Sequence, residues 1–115
     1  MEYMSLNILK ELSTLSPTSV YIEQTYTARN PQTTQTLTMI QGVVYGWCIT
    51  NNCKFNTIRP TQWRKAIGIK QSKLKRAQLK ELSIKYVLEK YKLEVSDDIA
   101  DAICIGEAAT ILNCN

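Results

Sequence analysis

The sequence predicts an α/β fold: a parallel strand pair with flanking helices. Three observations predict it. Two short β-branched and aromatic runs, Val20–Glu23 and Lys54–Arg59, bracket a long helical stretch, and strand–helix–strand order closes as a right-handed parallel crossover. Apolar residues at helical intervals fill the segments on both sides. The chain holds 115 residues, 44% hydrophobic and 21% charged, which fits a single globular domain over 1–115.

The elements follow in order. Met4, Ile8, Leu9, Leu12 and Leu15 recur at helical spacing and predict an amphipathic helix over 2–15. Ser16-Pro17-Thr18 ends it. The strand Val20–Glu23 closes on a charged residue, which is unusual for a buried strand. Asn30-Pro31 breaks the chain, and a helix over 32–50 follows. Its Gly42 and Gly46 stand four apart on one face, a spacing that lets a helix pack closely on a neighbour. After the second strand, Pro60 opens a short helix over 61–67, and Gly68 stops it. A long basic helix is expected over 71–91, with Leu74, Leu79, Leu82 and Tyr86 on its apolar side. Ser96 is the predicted N-cap of a last helix, 97–112. Two strands make a thin sheet, since three or more are the norm for stability in water.

Histidine is absent. That excludes Ser-His-Asp and Cys-His catalysis and any histidine-held zinc. Cys48, Cys53, Cys104 and Cys114 contain no pair tighter than C-x4-C, so they read as reduced thiols and not as a zinc knuckle or a disulfide framework. No apolar run is long enough to span a bilayer, and no signal peptide is visible. The expectation is a cytoplasmic protein without membrane contact. The net charge of +4 is unevenly spread: Arg64–Lys92 holds ten basic residues against Glu81 and Glu89, whereas Glu94–Glu107 holds five acidic residues and no basic one. A basic block beside an acidic one outlines a protein that grips a polyanion and gathers cations at one spot. A solvated helix face followed by an acidic helix start gives the same pattern.

Three carboxylates stand out. Glu23 ends the first strand; Asp98 and Asp101, three apart near the start of the last helix, project from one face. Open α/β sheets place their sites beyond the carboxyl ends of the strands. If the last helix crosses that end, the three carboxylates converge. Clustered carboxylates repel unless a divalent cation neutralises them, and Mg2+ takes protein carboxylates together with phosphate oxygens. Paired ions of this kind drive in-line phosphodiester hydrolysis. Ser96-Asp97-Asp98 is equally what a helix N-terminus favours. Asp101 lies past the first turn in Ile99-Ala100-Asp101-Ala102-Ile103, where capping does not account for it.

The segment Ile22-Glu23-Gln24-Thr25-Tyr26-Thr27-Ala28-Arg29-Asn30 and the later Asp98-Ile99-Ala100-Asp101-Ala102 resemble, in order, two motifs of the RuvC family of Holliday junction resolvases, of the RNase H-like superfamily. Gln41-Gly42 and Arg59-Pro60-Thr61-Gln62-Trp63-Arg64-Lys65 lie between them, where that family has its central helix and basic loop. The resemblance covers roughly 19–112. It implies a single RNase H-like nuclease domain that resolves four-way junctions in DNA recombination and repair. Glu23, Asp98 and Asp101 match the family's catalytic, metal-binding carboxylates, which take Mg2+, with Mn2+ as a substitute. Tyr26 matches the aromatic that stacks on unpaired bases. Arg29 belongs to the first motif, and Arg64 or Lys65 and Lys75 or Arg76 fall near residues that contact the scissile backbone. Lys73 and Lys80 extend that basic surface. The family forms dimers through the helix matching 32–50, and its partner is branched or duplex DNA. One departure stands: the family opens with strands that carry a first metal-binding aspartate, and this sequence begins at the following helix. The expectation is therefore a truncated RNase H-like domain, incomplete at its N-terminus. A catalytically inactive nucleic-acid-binding relative is the first alternative, and an interaction protein whose carboxylates only cap a helix is the second.

Overall fold

The computed structural model describes residues 2–24 and 31–113. The chain divides into two compact units, Met1–Thr57 and Ile58–Asn115.

In the first unit, α1 (Glu2–Leu15) packs on α2 (Pro31–Thr50), and β1 (Ser19–Glu23) pairs with β2 (Lys54–Ile58). The Lys54 amide donates to the Thr18 carbonyl at 3.0 Å, and the Asn56 side-chain amide reaches the Val20 carbonyl at 3.4 Å. Both partners advance together along the chain, so the strands are parallel, as expected. Val44, Cys48 and Cys53 form the core, lined by Ile8, Leu12, Val20, Ile22, Trp47 and Phe55. Met4 and Leu15, placed by periodicity on the apolar side of α1, are exposed. α2 ends in a turn in which the Cys53 amide donates to the Cys48 carbonyl at 2.9 Å, with Asn52 left-handed at φ 53°. The close approach expected of Gly42 and Gly46 is not found: a Cβ built on either would meet nothing within 4 Å.

The second unit is helical. α3 (Pro60–Ala66) and α4 (Arg76–Tyr91) both pack on α5 (Asp97–Asn113). Pro60 opens α3, where its missing N–H costs nothing. Gly68 closes it at φ 83°: the Gly68 amide donates to the Lys65 carbonyl and the Ile69 amide to the Arg64 carbonyl, the two bonds of a Schellman cap. The expected helix over 71–91 is shorter than predicted. Lys73 takes a left-handed conformation at φ 63°, which breaks the helical path, and α4 starts only at Arg76. Leu74 therefore lies ahead of the helix. Trp63, Val87, Ala100, Cys104 and Ala108 are fully buried. Ala100, Cys104 and Ala108 recur every four residues, giving α5 a face of small side chains.

Candidate functional site

Asp101 sits on the packed side of α5 and is partly buried. Its Oδ1 is buried and has no hydrogen-bond partner among the described residues. Burial pushes its carboxyl above the usual range; a hydrogen bond with the Ser83 hydroxyl and the charge of Arg64 oppose the rise, while Asp97 and Asp98 add to it. An ionised carboxylate only accepts, so an oxygen left without a donor in a low-dielectric setting suits a cation.

Asp98 is exposed, three residues earlier on α5. Ser96 caps the helix as expected, its Oγ accepting from the Ile99 amide at 3.4 Å. Asp97 does more than complement the helix dipole. It pairs with Lys80 of α4 at 3.1 Å, and that hydrogen bond holds its carboxyl below the usual range. Lys80, read as a DNA contact, therefore already has an acidic partner.

Arg64 is partly buried on α3, its guanidinium 4.8 Å from the centre of the Trp63 ring, and its Nε is buried without a partner among the described residues. Its charge reaches Asp101 and Cys104. The structure thus sets Arg64, a candidate backbone contact by the family resemblance, within reach of the Asp101 charge. Lys65 is exposed; Lys73 lies in the turn before α4; Lys75 is the N-cap residue, its amide donating to Gln78 Oε1 at 2.9 Å; Arg76 begins the helix. Lys65, Lys73, Lys75 and Arg76 have no ion pair among the described residues.

Glu23 ends β1 in the first unit and is partly buried, whereas Asp98 and Asp101 belong to the second. Tyr26 and Arg29 lie outside the described residues. Among the described residues, no group of three or more Cys, Asp or Glu side chains is arranged to hold a metal ion, and no helix is long and apolar enough to cross a membrane.

Sequence reasoning missed Ser83, which is fully buried on α4. A serine four residues before Val87, on a helix face carrying Leu79 and Tyr86, is a polar group at a core position. That was its only sequence signal. Cys104, one turn after Asp101, is fully buried, and burial and the Asp101 charge push its thiol up to about 11. Cys48, Cys53 and Cys104 are free thiols, as expected; Cys114 lies outside the described residues.

A search of curated proteins finds no match. The fold is similar to the solved structure of T. thermophilus RuvC in complex with Holliday junction substrate, with a TM-score of 0.72 at 16% identity. That match covers 96% of this chain and 65% of the other, so the chain spans just under two thirds of that protein's length. The likeness makes the fold α/β and RNase H-like. The family model of the crossover junction endodeoxyribonuclease RuvC matches residues 2–108, and the chain therefore belongs to the RuvC family.

Proposed function

We propose that this chain is a DNA-junction-binding, metal-dependent endodeoxyribonuclease module that acts on four-way junctions. The observation that carries the reading is Asp101. A buried carboxylate oxygen without a donor, on the helix holding the D-x-x-D motif, is what a cation-binding phosphodiesterase needs. The family resemblance assigns the ion to Glu23, Asp98 and Asp101, and all three are oxygen donors, which suits Mg2+ and Mn2+. A divalent cation there would neutralise the carboxylates and polarise the scissile phosphate.

The remaining roles fall to the chain's own side chains. Lys65, Lys73, Lys75 and Arg76 would neutralise backbone phosphates, which supply most nucleic-acid affinity. Arg64, close to Asp101, would balance carboxylate charge more than it contacts distant DNA. Tyr26 would stack on unpaired bases, so that shape rather than base edges selects the junction. A second copy would dock on α2: Met39, Tyr45 and Ile49 are exposed there, and Gly42 and Gly46 leave room for a close partner. The two symmetric scissile strands of a four-way junction match such a two-fold dimer.

The test is binding to a four-way junction and to the matching duplex across a salt series, followed by cleavage in Mg2+ and Mn2+. Log K should fall with log[salt] by about 0.9 for each phosphate neutralised. Replacing Lys73, Lys75, Arg76 and Lys80 by Ala should flatten that slope by about three units, with Lys80 contributing least. Tyr26→Ala should weaken junction binding, by about 1–3 kcal/mol per stacked base, more than duplex binding. Cleavage should be supported by Mg2+ or Mn2+ and by no monovalent ion, and Asp101→Asn should remove it. Salt-dependent junction binding with no cleavage under any metal would favour the inactive relative. An unchanged salt slope in the four-residue variant would place the DNA surface elsewhere.

A further inference from the structure

We infer that Asp97 competes with DNA phosphate for Lys80: it is a built-in acidic stand-in for the backbone that keeps one lysine of the basic surface occupied until DNA displaces it. The inference rests on the DNA-binding reading above. Two ion pairs tie α4 to α5, Lys80 to Asp97 at 3.1 Å and Lys90 to Glu107, and the partners stand 17 residues apart in each. Contacts that advance together along both helices mean that α4 and α5 run parallel, with the non-helical stretch 92–96 carrying the chain back along the pair. In a parallel pair both helices start at the same end. The acidic start of α5, with Asp97 and Asp98, therefore lies beside the basic start of α4, with Arg76.

Arg76 and Lys80 stand four apart, one turn after the other on a single face of α4. Lys80 thus continues the surface formed by Lys73, Lys75 and Arg76, yet it alone of these four has an acidic partner among the described residues. The two pairs between the helices differ in setting. Glu107 keeps only 12% of its side chain exposed, and its pair with Lys90 holds the helix register from within. Lys80 and Asp97 keep 47% and 32%, and an ion pair so open to water is weak and screened by salt. Ser96 already caps α5, and Asp98 also complements its first turn. Neither capping nor the helix dipole therefore requires Asp97 to reach across to α4. A carboxylate and a phosphate oxygen are alternative acceptors for the same ammonium group. DNA laid on the basic surface offers Lys80 a phosphate, and only a weak surface pair opposes the exchange.

The test is binding of a labelled four-way junction by the whole chain, followed by fluorescence anisotropy across a salt series. Asp97→Asn frees Lys80 and should steepen the fall of log K with log[salt] by about 0.9, the mark of one more phosphate neutralised. From about 50 to about 200 mM salt the variant should lose about 3.5-fold more affinity than wild type. Adding Lys80→Ala to Asp97→Asn should return the slope to that of wild type. Glu94→Gln removes the same charge three residues earlier, from an exposed side chain with no ion pair among the described residues, and should leave the slope as it is. Should Asp97→Asn disturb the start of α5, Asp97→Ser carries the same comparison. An unchanged slope in Asp97→Asn, or an equal steepening with Lys80 absent or in Glu94→Gln, overturns the inference and leaves the DNA-binding reading standing. A wild-type chain with no salt-dependent junction binding overturns that reading and the inference together.

Discussion

The two units of this chain differ in how completely they bury what they carry. In the second, Trp63, Val87, Ala100, Cys104 and Ala108 are each 0% exposed, and three helices enclose them. In the first, the fully enclosed core among the described residues is Val44, Cys48 and Cys53, and α1 contributes no buried residue at all. Tyr3, Leu6, Leu15, Tyr45 and Ile49 are all more than half exposed. Isolated exposed apolar groups are ordinary, whereas a set of them on one helix face marks a surface meant for contact. The helical unit fixes a geometry internally. The strand-bearing unit offers surface.

The comparison breaks first at tryptophan. Trp63→Ala should cost about 3–5 kcal/mol in denaturant unfolding, the range for emptying a buried aromatic site. Trp47, partly buried, with its indole N–H donating to Ser13 Oγ at 3.3 Å, should cost about half that on replacement, because less area leaves water. Equal losses would mean that the first unit is as tightly built as the second.

The exposed face of α2 gives the next largest effect. If a second copy covers it, Ile49→Lys should weaken self-association by about 2 kcal/mol or more, roughly thirtyfold, read by analytical sedimentation. Association unchanged by that charge would leave the α2 face as plain solvent-facing surface.

Helix ends sharpen the contrast at smaller scale. Lys92 closes α4 in the left-handed conformation at φ 59°, and Asn52 does the same after α2 at φ 53°. A lysine bears the full steric cost there, so Lys92→Gly should raise stability by about 1 kcal/mol. Asn tolerates the region, so Asn52→Gly should gain less.

The smallest effect concerns acid. The Asp97 carboxyl is held low by its hydrogen bond to Lys80. Its contribution to stability is therefore present above the ordinary carboxylate value, near about pH 4, and is lost as pH falls through the lowered one. Asp97→Asn should lower stability slightly at pH 7, where the pair is intact, and flatten its decline below about pH 4, so that the two proteins converge in acid. A parallel acid limb in wild type and variant would show the pair to be without consequence.

Much of the fold was legible because its boundaries are marked by residues with one physical meaning. Pro31 and Pro60 open helices, Gly68 closes one, and Ser96 caps another. The start of α4 was not legible. Lys73 carries no glycine-like signal for its left-handed backbone, and Leu74 extends the helical spacing one turn too far. Gly42 and Gly46 promised a tight neighbour that the described residues do not supply. At the site, Asp101 was legible as a carboxylate out of place in an apolar run. Its companions were not. Ser83 and Arg64 come from two other helices, and proximity made by packing leaves no spacing rule in the sequence. The partial burial of Arg64 against Trp63 was hidden for the same reason, since nothing in the local sequence marks the ring as its neighbour.

The small-residue face of α5 has an evolutionary corollary. Ala100, Cys104 and Ala108 do no chemistry, yet each additional methyl group there must push α5 away from its neighbours, because a filled interior yields little. The carboxylates of α5 ride on that axis. A saturation scan read by thermal stability should therefore find the bland positions of α5 less forgiving than Asp98, whose exposed side chain bears on the site and not on the packing. The spacer that holds the reactive group in place is thus as constrained by packing as the group is by its chemistry.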